Sequence, residues 1–444
     1  MRKRIYIAVA VVVLLLLSFF GFLEYRQHSS YKIPIHANVR SIIKLNMDAF
    51  IKTFIKEYGF NFSNRIRRTG KEESEESVNT GIYLPGNIFI YTLYGKFPST
   101  FFCTLPLRNT DDFKKFAGKQ LGVIFHDNNH QSLGTAYSDK LTVLCSQEYA
   151  AIAYSDSKEE VLSVLKDLVD KNNLAPASNE LIKQLKKDRS HIVYAFKRGI
   201  ANAEFDGHKI ELHADLTIPG NILVPEHTTK RKRNNDSDAS FFLNLKPDTS
   251  LFKKKYSIKN RVVETDSILL YFSGYTDMYV SGMINQTDTI TTYVYDDNFE
   301  KKEKSVVTTV KVPAIEIAIQ TNNQLLNYLE KQKIVTDTHK IDREIFPLYE
   351  VSVSQPGKIV YLYTSSQSEW EDKFDNTSNF MEMNIDFQKL QPSLDSAFSK
   401  RYITGIKALH FEGRKTGKSK IRIDGNIQFY SSALRTLINI IKSL

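Results

Sequence analysis

Cysteine is nearly absent: Cys103 and Cys145 are the only two in 444 residues. That excludes a disulfide-framed scaffold and a four-cysteine zinc site. Glycine (19) and proline (12) are too sparse for a collagen-like or linker protein. Neither sign of charge dominates, since 60 basic residues face 50 acidic ones. No aromatic-interleaved basic motif accompanies the modest excess, so no nucleic-acid partner is expected. Catalytic signatures are missing as well. There is no G-x-S-x-G elbow, no S-x-x-K set and no H-E-x-x-H helix. What remains is 42% apolar and 25% charged, the balance of a folded globular chain, at a length that allows roughly two to four domains.

One long hydrophobic run is present. Ile5 to Leu23 is interrupted only by Ser18 and Gly21, and Arg2, Lys3 and Arg4 precede it. As a helix it would span about 28 Å, close to the hydrocarbon core of a bilayer. The basic flank favours a cytoplasmic N-terminus. No small-residue cleavage pattern follows, so an uncleaved anchor is preferred over a signal peptide. The expected layout is a cytoplasmic tail over 1–4, a transmembrane anchor over 5–23 and a polar tether over 24–32. Domains over 33–225 and 239–444 follow, separated by a basic linker or loop over 226–238. The bulk of the chain is expected in the periplasm, held to the inner membrane by residues 5–23.

Beyond the anchor, period-2 alternation predicts strands and period-3.6 apolar stripes predict helices. Ile421, Ile423, Ile427 and Phe429 alternate with polar residues, as do Tyr349, Val351 and Val353. Gln355-Pro356-Gly357-Lys358 reads as a turn before a buried strand over Ile359 to Tyr363. Ser157 to Glu160 and Thr321 to Gln324 have the form of capping boxes ahead of apolar stripes. Ser431 and Ser432 precede a third stripe, Leu434 to Leu444. Leu45-Asn46-Met47-Asp48, Leu243-Asn244-Leu245-Lys246 and Met383-Asn384-Ile385-Asp386 share one pattern, which suggests repeated units with insertions. The fold class expected is α+β: mixed, mainly antiparallel sheets with packed amphipathic helices. Asn61 to Thr80 is a polar excursion, and the Thr228 to Asp236 run has no apolar residue.

The candidate chemistries are few. Gly413 to Ser419 approaches a phosphate-binding loop, but it is one residue short and lies between two predicted strands. His126 and His130 are four apart in turn-forming sequence, and His208 and His213 sit in a predicted hairpin. Cys103 and Cys145 lie in apolar strands, where free thiols are favoured over a bridge. The basic segments Lys230 to Arg233, Lys253 to Lys255 and Arg414 to Lys420 read as solvated loops, with adhesion to anionic polymers or lipid head groups as the functional alternative. No catalytic, cofactor-binding or metal-binding residue is assigned, and no cofactor is expected.

Ile33-Pro34-Ile35-His36-Ala37-Asn38-Val39, Ile42-Ile43-Lys44-Leu45-Asn46, Leu105-Pro106-Leu107-Arg108-Asn109 and the stretch Tyr349 to Thr364 give the chain a likeness. It resembles membrane-anchored bacterial envelope proteins known only as domains of unknown function. The resemblance implies an anchored, extracytoplasmic α+β fold and brings no catalytic residues. The leading expectation is a non-catalytic protein that binds or scaffolds an envelope protein or anionic polymer. An envelope hydrolase with a site assembled from scattered residues, and a polyanion-binding module, are the alternatives.

Overall fold

The computed structural model describes residues 21–22, 24–59, 79–128, 131–220, 222–232, 237–247, 254–258, 261–295, 299–365, 373–390 and 405–443. Among them no helix is long and apolar enough to cross a membrane. The expected anchor, Ile5 to Leu23, lies outside the described residues except for Gly21 and Phe22. The chain divides into two units, residues 1–207 and 208–444.

Among the described residues unit 1 contains nine strands: β1 (Val39–Asn46), β2 (Asn87–Leu93), β3 (Phe101–Pro106), β4 (Ile124–Asn128), β5 (Gln131–Ala136), β6 (Leu141–Cys145), β7 (Tyr149–Tyr154), β8 (Ile192–Phe196) and β9 (Gly199–Asp206). They pair antiparallel in the order β9-β8-β1-β2-β3-β7-β6-β5-β4. Its helices are α1 (24–30), α2 (Met47–Tyr58), α3 (Thr110–Leu121), α4 (Leu162–Val169) and α5 (Glu180–Lys187). Leu165, Leu168 and Leu185 of α4 and α5 bury one face of the sheet, packing with Ile42, Phe89, Tyr91, Phe102 and Val193. Among the described residues the opposite face is roofed at its two ends only. Phe113 and Ala117 of α3 cover Val143, Cys145 and Ala150. At the other end Phe50 of α2 meets Phe205 edge-on, with ring centroids 5.3 Å apart.

Local chemistry sets the helix ends. Asn46 caps α2 by accepting from the Ala49 amide at 3.1 Å, and Gly59, at φ +70°, ends it. The expected box at Ser157 to Glu160 works differently. The serine makes no cap; the Glu160 carboxylate accepts from the Ser163 amide at 2.9 Å, which lowers its pKa. Thr321 to Gln324 likewise closes as two side-chain turns, with Thr321 Oγ1 accepting from the Asn323 amide and Asn322 Oδ1 from the Gln324 amide. Ser432 does cap the last helix, accepting from the Arg435 amide at 3.3 Å.

Unit 2 holds β10 (Lys209–Thr217), β11 (Ile222–Leu223), β12 (Thr228–Arg231), β13 (Ala239–Asn244), β14 (Lys246–Pro247), β15 (Lys255–Ile258), β16 (Arg261–Glu264), β17 (Phe272–Tyr295), β18 (Lys301–Thr321), β19 (Ser352–Ser354), β20 (Ile359–Tyr363), β21 (Phe374–Thr377), β22 (Asn379–Asp386), β23 (Ile406–Gly417) and β24 (Lys420–Phe429). Nine of these form an antiparallel sheet in the order β10-β24-β23-β22-β13-β17-β18-β20-β19. Its longer helices are α6 (Thr265–Tyr271), α7 (Leu325–Lys331) and α8 (Ala433–Ser443).

Seven strands recur in the same chain order and the same spatial order. β1, β2, β3, β6, β7, β8 and β9 correspond to β13, β17, β18, β19, β20, β22 and β23. Matching hydrogen bonds fix the register. The Met47 amide donates to Gly86 at 2.9 Å, and the Leu245 amide donates to Gly274 at 2.8 Å. The Leu107 amide donates to Glu148 at 2.7 Å, and the Thr321 amide to Lys358 at 2.8 Å. Asn46 and Asn244 are therefore equivalent, each ending the same strand. Asn384 is not their counterpart, since it lies inside β22.

Three expectations need correction. Residues 24–32 are no tether: α1 is bound into unit 1, where Gln27 Nε2 donates to Asn46 Oδ1 at 2.9 Å and to Asp48 Oδ2 at 2.8 Å. Arg26 pairs with Asp48 at 3.2 Å, and Arg189 with Glu24 at 2.6 Å. The division between units falls after Gly207, ahead of 226–238. Within that stretch β12 pairs with β21, and residues 233–236 lie outside the described residues. Finally, the Gly413 to Lys418 segment is mostly strand, since β23 runs through Gly417 and the turn is Lys418-Ser419.

Candidate binding groove

Two polar clusters in unit 1 are the places where scattered residues could make a catalytic array. In the first, Thr53 Oγ1 lies 2.7 Å from His191 Nε2. His191 Nδ1 accepts from the Phe205 amide at 3.3 Å, so the ring proton is on Nε2 and points at Thr53. The imidazole cannot take the threonine proton in that state. Burial pushes the His191 pKa down, against the pull of Glu204, and the ring stays neutral. This cluster joins α2 to the sheet. In the second, Lys114 Nζ lies 3.0 Å from Asp127 and 3.3 Å from Ser132 Oγ. A serine–lysine pair needs a neutral amine as base. The hydrogen bond to Asp127 raises the Lys114 pKa and keeps it charged. Cys145 beside it is a buried thiol pushed up to about 12 by burial.

The remaining sequence candidates disperse. His126 is exposed on β4, and His130 lies outside the described residues. His213 bonds Asp424 at 2.7 Å across the β10–β24 pair. Cys103 and Cys145 are both free, and β7 runs between their strands. Among the described residues no group of three His, Cys, Asp or Glu side chains could hold a metal. The basic segments are largely spent on internal partners. Lys230 pairs with Glu382, Lys255 with Glu264 at 2.6 Å and Arg414 with Asp424 at 2.6 Å.

Arg231 is the extreme case, only 4% exposed. Its Nε and Nη2 donate to Asp277 at 3.0 and 2.8 Å, and Nη1 meets Glu316 at 2.5 Å. The guanidinium lies over the rings of Tyr279 and Tyr361, 5.6 and 5.3 Å from their centroids. Tyr275 Oη donates to Asp277 at 2.5 Å and accepts from the Arg231 amide at 3.0 Å. Burial alone would lower the Arg231 pKa, but Asp277 and Glu316 outweigh it and the net shift is upward. A cation so enclosed is part of the core and offers nothing to a polyanion.

The open part of unit 1's sheet is different. Directly opposed residues of antiparallel neighbours share a face. Ile43 opposes Ile90 and Tyr194, Ile90 opposes Cys103, and Ser41 opposes Phe196 and Thr92. Between α2 and α3 these side chains floor an open groove of about 740 Å³, rimmed by Tyr94, Pro98 and Phe101. Phe101 and Tyr194 are each 38% exposed. Two of the floor hydroxyls, those of Ser41 and Thr92, bond each other at 2.9 Å. Arg40, Lys197 and Arg198 line the same groove at the end where β1 starts and β8 turns into β9. All three are exposed, and none has an ion-pair partner among the described residues. Apart from Cys103 as a thiol and Ile43 within the apolar run before Asn46, none of these residues stood out in the sequence. The available signal was that β1 and β2 are apolar on both faces, although α4 and α5 cover only one.

No family model matches the chain, and no curated protein matches it. Among solved structures the chain is similar to crystal form III of TP0453, at 6% identity and a TM-score of 0.24. It is also similar to crystal form I, at 7% and 0.23. The matches cover 74% of this chain and 90% and 89% of those chains. So distant a likeness fixes neither the fold nor the activity.

Proposed function

We propose that this is a non-catalytic binding protein of the bacterial cell envelope, and that the groove on unit 1 is where it takes an apolar ligand. It is tethered to the inner membrane through residues 5–23, with the N-terminus cytoplasmic and the bulk of the chain periplasmic. The carrying observation is an apolar sheet face that the described residues leave open between two helices. Exposed aromatic and aliphatic area of this kind is costly to leave wet, and its volume falls in the range of roughly 300–1,000 Å³ typical of small-molecule sites. The charged state of Lys114 and the tautomer of His191 both speak against the hydrolase alternative.

Two experiments test the reading. A reporter fused after Leu444 should be active only outside the cytoplasm; activity inside refutes the topology. Full-length protein in neutral maltoside micelles should be photolabelled by a neutral hexadecanol carrying a mid-chain diazirine, with label concentrated on the β1, β2, β3 and β8 peptides. Phe101→Glu with Tyr194→Glu should remove that label while leaving the far-ultraviolet circular dichroism unchanged. Label spread evenly over the chain would refute the groove.

A further inference from the structure

Resting on that reading of the groove, we infer that its ligand is a single-chain amphiphile, one acyl chain ending in an anionic head. The chain lies on Ile43, Ile90 and Tyr194, and the head meets Arg40, Lys197 and Arg198.

Two features of the groove select this class. The first concerns the backbone. The strands that carry the floor, β8, β1, β2 and β3, each have a partner on both sides. Along their paired residues the amides and carbonyls are engaged in the ladder, and the Ser41 and Thr92 hydroxyls bond each other. An extended peptide laid here would bury its own amides with nothing to receive them, because peptide capture by a sheet uses a free edge. A hydrocarbon chain has no such demand. The second concerns charge. The cations are gathered at one end of the groove, so the site is polar at its mouth and apolar along its length, the same asymmetry as an amphiphile with an anionic head. Glu180 lines the cavity adjoining Arg40 and Lys197, and it is already held by Lys183 at 2.9 Å. The head-group end therefore keeps a positive surplus, and the ligand's anion supplies the missing partners.

The test uses full-length protein in neutral maltoside micelles and two photoreactive probes of equal chain length, palmitate and hexadecanol, each with a mid-chain diazirine. Palmitate should label the groove peptides more strongly than hexadecanol. Arg40→Glu, Lys197→Glu and Arg198→Glu together should cut palmitate labelling at least about tenfold and leave hexadecanol labelling unchanged. Dodecyl phosphate should compete, and inorganic phosphate at the same concentration should not. Equal labelling by both probes, indifferent to charge reversal, would overturn the anionic head while leaving the apolar groove standing. Competition by inorganic phosphate alone would reduce the site to an anion patch and overturn the amphiphile. Absence of groove labelling by either probe would overturn the binding reading itself.

Discussion

The two units build one strand arrangement around opposite core chemistries. In unit 1, Lys44 on β1 stands directly across from Phe89 on β2. At the equivalent pair in unit 2, Phe242 on β13 stands across from Asp277 on β17. The charge has changed strands. Phe102, stacked on Tyr91 with centroids 6.1 Å apart, has Glu316 as its counterpart, and Tyr91 has Tyr279. Where unit 1 fills its centre with phenyl rings, unit 2 inserts Arg231 from β12 between Asp277, Glu316 and two tyrosine rings. The buried charge at this position in unit 1, Lys44, is met more cheaply. Lys44 Nζ donates to the carbonyls of Leu185, at 2.9 Å, and Asp188, at the C-terminal end of α5. A sheet of this kind dictates the volume and the direction of its central side chains. It does not dictate whether the volume is filled by rings or by a closed ion cluster, provided every charge is partnered.

The largest effect should come from breaking the cluster. Arg231→Met leaves two carboxylates buried without their cation and should cost about 3–5 kcal/mol in denaturant unfolding. Arg231→Met with Asp277→Phe and Glu316→Phe transplants unit 1's solution, and it should recover most of that loss. A triple variant no more stable than the single would show that the two centres are not interchangeable.

Next is the buried amine. Burial lowers the Lys44 pKa from 10.5 to about 8, opposed by the charge of Asp188. The folded state then holds this proton more weakly than the unfolded chain, so stability rises with pH between about 8 and 10.5. The span is on the order of 3 kcal/mol. Lys44→Met should flatten that part of the stability–pH curve, and a curve unchanged from wild type would place the amine in water.

The equivalent asparagines separate the units at smaller scale. Asn46 caps α2, accepts from Gln27 and donates to the Arg189 carbonyl at 2.8 Å. Asn46→Ala should cost about 1–2 kcal/mol. Asn244 is followed by β14 instead of a helix, and Asn244→Ala should fall within about 0.5 kcal/mol of wild type. Equal losses at the two sites would contradict the claim that only the first is a cap.

These contrasts also show what could be read from the chain beforehand. The alternation at Ile421 to Phe429 gave β24 because one strand carries its own burial pattern. The apolar–Asn–apolar pattern pointed to repeated units at Asn46 and Asn244, where strand and register agree, and misled at Asn384. Lys230 to Arg233 read as solvated because composition registers charge and not its partners. Those of Arg231 lie at positions 277 and 316, brought near only by the β13–β17–β18 pairing. The groove was hidden for a related reason. Its floor comes from strands that are neighbours in the sheet and far apart in sequence.

That separation also governs the order in which the molecule can be completed. β1 zips to β2 early, but its other edge stays bare until Ile192–Phe196 has been made, and β13 waits in the same way for Asn379–Asp386. Each closure spans a long loop and sacrifices chain entropy before it gains a ladder. During synthesis each half therefore passes through a stage with a central strand acting as an open edge, the moment at which a neighbouring chain can pair with it.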